Sequence, residues 1–216
     1  IYIFYKQAST SFKRIAKKHY WLWFAAIGNL AMLQCNQLIL EGGKGLAELS
    51  LFGLAFQIVH FIKILQAQVL RLATPRIARV AHEANRAVLI RSIVKICALS
   101  LGLTLLLVLP FYLLVPYFIE HIIGTDFSES IPVFNVLLIW VTIFGVALIN
   151  NQFLISLKLE SAYFYITITF GALSLALSYF FIEDYGALGA AYALIIAHGG
   201  SMIAQFLIVL YKIYSL

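Results

Sequence analysis

The chain has 216 residues, 63% of them hydrophobic and only 11% charged, with a formal net charge of +6 at pH 7. A soluble domain is about 45–50% apolar and about 25% charged, so this much apolar surface has no place inside a water-soluble globule. The mean hydropathy of +0.97 makes lipid the solvent for most of the chain.

Residues 1–19 lack an apolar core followed by a small-residue cleavage site, so no signal peptide is expected there. The chain starts at Ile1 and reads as a piece of something longer. A membrane crossing needs about 20 mainly apolar residues. The first such run is 20–40, where Asn29 and Asn36 share one helical face. The second, 49–75, carries several polar residues and is expected to end at Pro75. The basic stretch 76–92 predicts a connecting helix lying on the cytoplasmic membrane surface. The third run is 93–118, with Pro110 and Pro116 expected to kink or end it.

The fourth run, 131–156, has Asn150, Asn151 and Gln152 near its end, and the fifth is 161–182. The sixth, 187–211, opens with Gly186-Ala187-Leu188-Gly189-Ala190-Ala191, small residues that permit close helix approach. Asp184 is placed to cap it, and His198, Ser201 and Gln205 share one of its faces. All six runs are apolar on every side rather than alternating, which argues against barrel strands. The expected fold class is an all-α integral membrane protein with six transmembrane helices.

Every Lys and Arg except Lys44, Lys63 and Arg71 then falls on one side of the membrane, and every acid except Glu83 and Glu160 on the other. Basic loops stay in the cytoplasm, so both ends of the chain are expected there. The same loops face anionic headgroups, which accounts for the net charge without nucleic acid. Trp21, Trp23, Tyr112, Tyr117, Tyr179, Tyr185 and Tyr211 lie near run ends, as interfacial belts do.

No phosphate loop, zinc spacing, nucleophile elbow or paired-carboxylate site is visible, so no catalytic residue, metal site or cofactor is expected. Gly42-Gly43-Lys44-Gly45 reads as a turn between helices. Cys35 and Cys97 sit apart within apolar runs and read as small core residues.

The second run is the informative one. At 100° per residue, Gln57, His60, Gln68 and Arg71 fall within about 80° of each other, and Lys63 lies about 60° beyond His60. Leu54, Phe56, Phe61 and Leu65 are expected on the opposite face. A charge at mid-membrane costs about 2.5–3.5 kcal/mol on insertion scales, so Lys63 either faces a hydrated cavity or pairs with another helix. Arg71, about one turn from the cytoplasmic end, is placed to snorkel to headgroups. His60 reads equally as a core histidine and as part of the Lys63 stripe. The amides read first as interhelical hydrogen-bond partners.

Three stretches carry a family resemblance: Ser50-Leu51-Phe52-Gly53-Leu54-Ala55-Phe56 with its late Pro75, Gly124-Thr125-Asp126-Phe127-Ser128-Glu129-Ser130, and Tyr185-Gly186-Ala187-Leu188-Gly189-Ala190-Ala191. From about Tyr20 onward the chain resembles the C-terminal half of bacterial polysaccharide flippases. These belong to the multidrug/oligosaccharidyl-lipid/polysaccharide exporter superfamily. Ser50 and Phe52 replace the family's usual Gly and Tyr, and Asn36 stands where many relatives carry an acid.

The resemblance implies a twelve-helix transporter with two six-helix lobes around a central cavity. Residues 1–19 would be the end of the preceding helix and a cytoplasmic linker, and 20–216 the C-terminal lobe, partnered by the N-terminal lobe of the same protein. The cargo would be undecaprenyl-pyrophosphate-linked oligosaccharide repeat units, moved across the inner membrane by alternating access. Lys63 and Arg71, helped by His60, would hold the anionic headgroup. Gln57, Asn29 and Asn150 would bond sugar hydroxyls. Alternatives are a multidrug or cell-wall-precursor exporter of the same superfamily, and a membrane-embedded polysaccharide polymerase or ligase. A purely structural membrane subunit is a further one, in which Lys63 at mid-span would be costly.

Overall fold

Lipid offers a backbone no hydrogen-bond partners, so a crossing segment must satisfy its own N–H and C=O groups, which helices do. The computed structural model describes residues 2–80 and 86–214, with side chains for 20–30, 32–80 and 87–214. Every element among them is helical: α1 (Tyr2–Val80), α2 (Arg86–Phe118), α3 (Ser130–Ser156) and α4 (Glu160–Tyr214). A π turn at Ile119–Ile123 and a 3-10 turn at Thr125–Phe127 join α2 to α3. Four helices among the described residues are long and apolar enough to cross a membrane. The chain has the dimensions of a multi-pass membrane protein.

Two helices are far longer than one bilayer requires, and each contains a glycine with positive φ. In α1 this is Gly45, at φ 84°. In α4 it is Gly186, at φ 54° and ψ −129°, where two helices meet across a kink. A side chain at either position would meet the left-handed penalty of about 1–2 kcal/mol. Both glycines fall between apolar runs expected from the sequence.

Ahead of these breaks α1 and α4 run side by side. Gly28 lies against Ile168 and Gly171, Ser178 Oγ donates to Asn36 Oδ1 at 2.5 Å, and Gly43 lies against Ile182. At the breaks, Ala187 N–H donates to Glu48 Oε2 at 2.7 Å. The cap expected from Asp184 thus comes from another segment: Asp184 is exposed, while Glu48 reaches the N–H that the kink frees. Beyond it Gly189 allows the close approach expected of the small residues, with Ala190 and Ala191 fully buried.

Pro75 and Pro110 do not end their helices, whereas Pro116 stands in the last turn of α2, which ends at Phe118. Pro75 lies inside α1, and Pro110 and Pro116 inside α2. Packing holds the turns beyond them, since Ile77 and Ile119 are wholly buried. The surface helix expected at 76–92 runs through 81–85, which lie outside the described residues. After α3, Leu159 N–H reaches Leu154 O and Lys158 N–H reaches Ile155 O, a Schellman closure with Lys158 at φ 60°.

Two apolar cores form at different levels. One gathers Leu40, Phe52, Ile62, Trp140, Ile182 and Leu194. The other gathers Ile77, Leu89, Ile149, Phe153, Val209 and Ile213. In chain position the buried polar residues Gln66, Ser100, Thr104, His198, Ser201 and Gln205 lie between them. The fold therefore carries a polar belt between two apolar layers.

A Cβ at residue 189 would stand 2.0 Å from Phe181 O, a backbone atom, whereas one at residue 42 meets nothing within 4 Å. Gly189→Ala is expected to destabilise by about 1–3 kcal/mol and Gly42→Ala to change stability by no more than about 0.5 kcal/mol. Thermal unfolding in detergent measures both, and equal midpoints would show that the approach of 189 to 181 is not tight.

Candidate functional site: the polar belt around Lys63

Helix α1 buries Phe52, Ala55, Phe56, Val59, Ile62 and Gln66 and leaves Gln57, Phe61, Ile64, Gln68 and Leu72 exposed. The expected polar stripe is therefore split. Gln57 and Arg71 face outward, and Arg71 donates to Gln68 Oε1 at 3.3 Å. His60 and Lys63, one turn apart, are half-buried at the edge of the packed face. Phe61, expected among the apolar residues opposite the stripe, is exposed, lying 6.4 Å from Phe111.

Lys63 leans onto α3. Its Nζ lies 4.7 Å from the Phe144 ring centre and 5.6 Å from that of Trp140. A cation–π contact contributes about 0.5–1 kcal/mol at an exposed site and about 2 kcal/mol or more when desolvated, so two rings together are of the same order as the roughly 2.5–3.5 kcal/mol that a mid-membrane charge costs. Among the described residues no carboxylate reaches Lys63. The rings therefore offset much of that cost for an ammonium that faces no carboxylate among the described residues.

The same two rings touch His198. Its imidazole is edge-on to Trp140 at 5.4 Å and to Phe144 at 6.2 Å. Trp140 and Phe144 thus join the ammonium on α1 to a buried imidazole on α4. His60 lies tilted against Phe56 at 5.8 Å, and Phe56 in turn stacks on Trp140 at 5.8 Å. Neither aromatic was picked out from the sequence. The available signal was Trp140 in the middle of an apolar run, where tryptophan is unusual compared with run ends.

Behind Phe144 a chamber of about 30 Å³ is lined by Asn29, Asn151, Thr167, His198, Ser201 and Gln205 among others. His198 Nδ1 sits 3.1 Å from Leu194 O, which assigns the proton to Nδ1 and leaves Nε2 an acceptor. Nε2 of His198, Asn151 Oδ1 and Gln205 Oε1 have no hydrogen-bond partner among the described residues. The chamber is thus rich in acceptors, with Asn29 on its wall. Asn150 is held elsewhere: it is 2% exposed and its Nδ2 donates to Met202 O at 3.3 Å. The structure brings His60 and Lys63 together, and keeps Arg71, Gln57, Asn29 and Asn150 apart from that pair.

The belt is tied by a knot that spacing did not reveal. Gln66 Nε2 lies 3.2 Å from Thr104 Oγ1 and 3.3 Å from Val141 O, and Ser100 Oγ donates to Gly145 O at 3.2 Å. These bonds join α1, α2 and α3 one turn below Lys63. Gly145 makes the room, since a Cβ there would stand 2.6 Å from Thr104 Oγ1 and 3.2 Å from Gln66 Nε2.

Gly145→Ala is expected to cost about 1–3 kcal/mol, and Thr104→Ala in the same chain to recover part of it. Thermal melts followed by tryptophan fluorescence measure both. Additive losses in the double variant would mean that the two positions do not share this contact. No protein-family model, curated protein or solved structure matches the chain.

Proposed function

We propose that the chain is the C-terminal lobe of a twelve-helix flippase, with six crossings and both ends in the cytoplasm. Its cargo is an undecaprenyl-pyrophosphate-linked oligosaccharide repeat unit, moved across the bacterial inner membrane by alternating access against an N-terminal lobe of the same protein. The lobe holds and moves its cargo and carries out no bond chemistry.

The reading rests on one observation above the rest: the half-buried Lys63 ammonium, backed by Phe144 and Trp140 and facing no carboxylate among the described residues. A pyrophosphate headgroup matches such a charge, and His60 one turn away offers a second donor to it. The six crossings are supported by the glycine breaks at Gly45 and Gly186, which divide two overlong helices where the apolar runs divide. The split of basic and acidic loops supports the orientation. The family resemblance supports the cargo and the second lobe.

A cation exporter of the same superfamily would need a carboxylate at the level of the belt. Glu48 is instead engaged at the end of its segment, on Ala187 N–H.

In the full-length protein, expressed in a strain whose surface polysaccharide depends on it, Lys63→Ala is expected to lower surface polysaccharide about tenfold or more at equal membrane abundance. That corresponds to losing one charge-assisted contact. Lys63→Arg is expected to keep most of it. Normal export by Lys63→Ala would remove the charge-based reading.

A further inference from the structure

At the level of the two glycine breaks, α1 and α4 enclose a groove of about 500 Å³ that the belt does not share. Leu38, Ile39, Tyr179 and Ile182 form its apolar wall, and Gly42 and Gly43 its floor. The floor is open because a Cβ at Gly42 would meet nothing within 4 Å. Lys44 and Glu183 stand at its rim, one on each helix, both exposed. Neither is paired with an opposite charge among the described residues.

A groove of this composition faces lipid with its wall and headgroups with its rim. We propose that it seats one phospholipid bearing a phosphoethanolamine headgroup. An acyl chain lies along Leu38, Ile39 and Tyr179, the Lys44 ammonium meets the lipid phosphate, and the Glu183 carboxylate accepts from the lipid ammonium.

Charge complementarity selects this headgroup over the others. Of the residues that line the groove one carries each sign, which matches a zwitterion, whereas an anionic glycerol headgroup would meet Glu183, with Glu41 and Asp184 exposed beside the rim, as like charges. A choline headgroup carries the right charges but has no N–H to donate, so it forgoes the charge-assisted hydrogen bond that an ethanolamine ammonium makes. The tyrosine at the groove, 66% exposed, fits the interfacial depth at which such headgroups lie. The inference is independent of what the protein transports.

The test uses the full-length protein in detergent, incubated with phosphatidylethanolamine, phosphatidylcholine or phosphatidylglycerol of matched chains, with retained lipid read by native mass spectrometry. The wild type is expected to retain phosphatidylethanolamine about threefold over phosphatidylcholine, as an exposed charge pair allows. Glu183→Gln is expected to abolish that preference, and Lys44→Gln to weaken all three lipids. Gly42→Leu, which fills the open floor, is expected to lower retention of every lipid. Equal retention of all three by the wild type, a preference for phosphatidylglycerol, or an unchanged preference in Glu183→Gln would each overturn the proposal. Absence of retained lipid in the wild type would also overturn it, and would point to a protein segment covering the groove.

Discussion

The Glu48 carboxylate on the Ala187 N–H, at 2.7 Å, links the glycine break inside α1 to the one inside α4. In lipid an interrupted helix exposes N–H and C=O groups that no solvent will satisfy. At Gly186 the kink frees such a group, and a carboxylate beside a helix start also complements the helix dipole. With no Cβ, Gly186 leaves room for Glu48, which would otherwise lie 2.5 Å from that atom. The Glu48 side chain thus closes the turn of α4 against α1, at the start of the later helix halves.

The belt is built on that closure. Once Ala187, Ala190 and Ala191 are fixed against α1, His198 two to three turns on comes to face Trp140 and Phe144. Those rings then provide the surface on which Lys63 rests. The bonds of Gln66 to Thr104 and to Val141 O hold α1 close to α2 and α3 at the next turn. The half-buried Lys63 ammonium rests against the faces of two aromatic rings, which attract a cation.

The fold class was legible because composition and run length decide it: 63% hydrophobic residues in runs of about 20 leave helices in lipid as the solution. The break positions were legible too, since glycine marks where φ must turn positive. Pro75 misled, because buried side chains such as Ile77 carry the helix past a missing hydrogen bond. The cap misled for a related reason. Asp184 is next to the kink in sequence, yet the carboxylate nearest in space comes from Glu48. For the site, periodicity found the stripe of α1 but not its division, because it reports angle about one axis and says nothing of where the neighbouring helices stand.

By itself, then, the sequence determined that this chain is helical and apolar enough to cross a membrane. It placed glycine-bearing gaps between apolar runs at Gly45 and Gly186, where φ is positive, and put Lys63 in mid-run. Those properties follow from hydropathy, glycine freedom and spacing, which are local. Tertiary structure alone decided that Lys63 rests on Phe144 and Trp140, that Asn150 spends its amide on Met202, and that Arg71 stands apart at the surface. Each of these depends on which helices pack together and at what height, and that is set by long-range contacts such as Glu48 with Ala187 and Asn36 with Ser178.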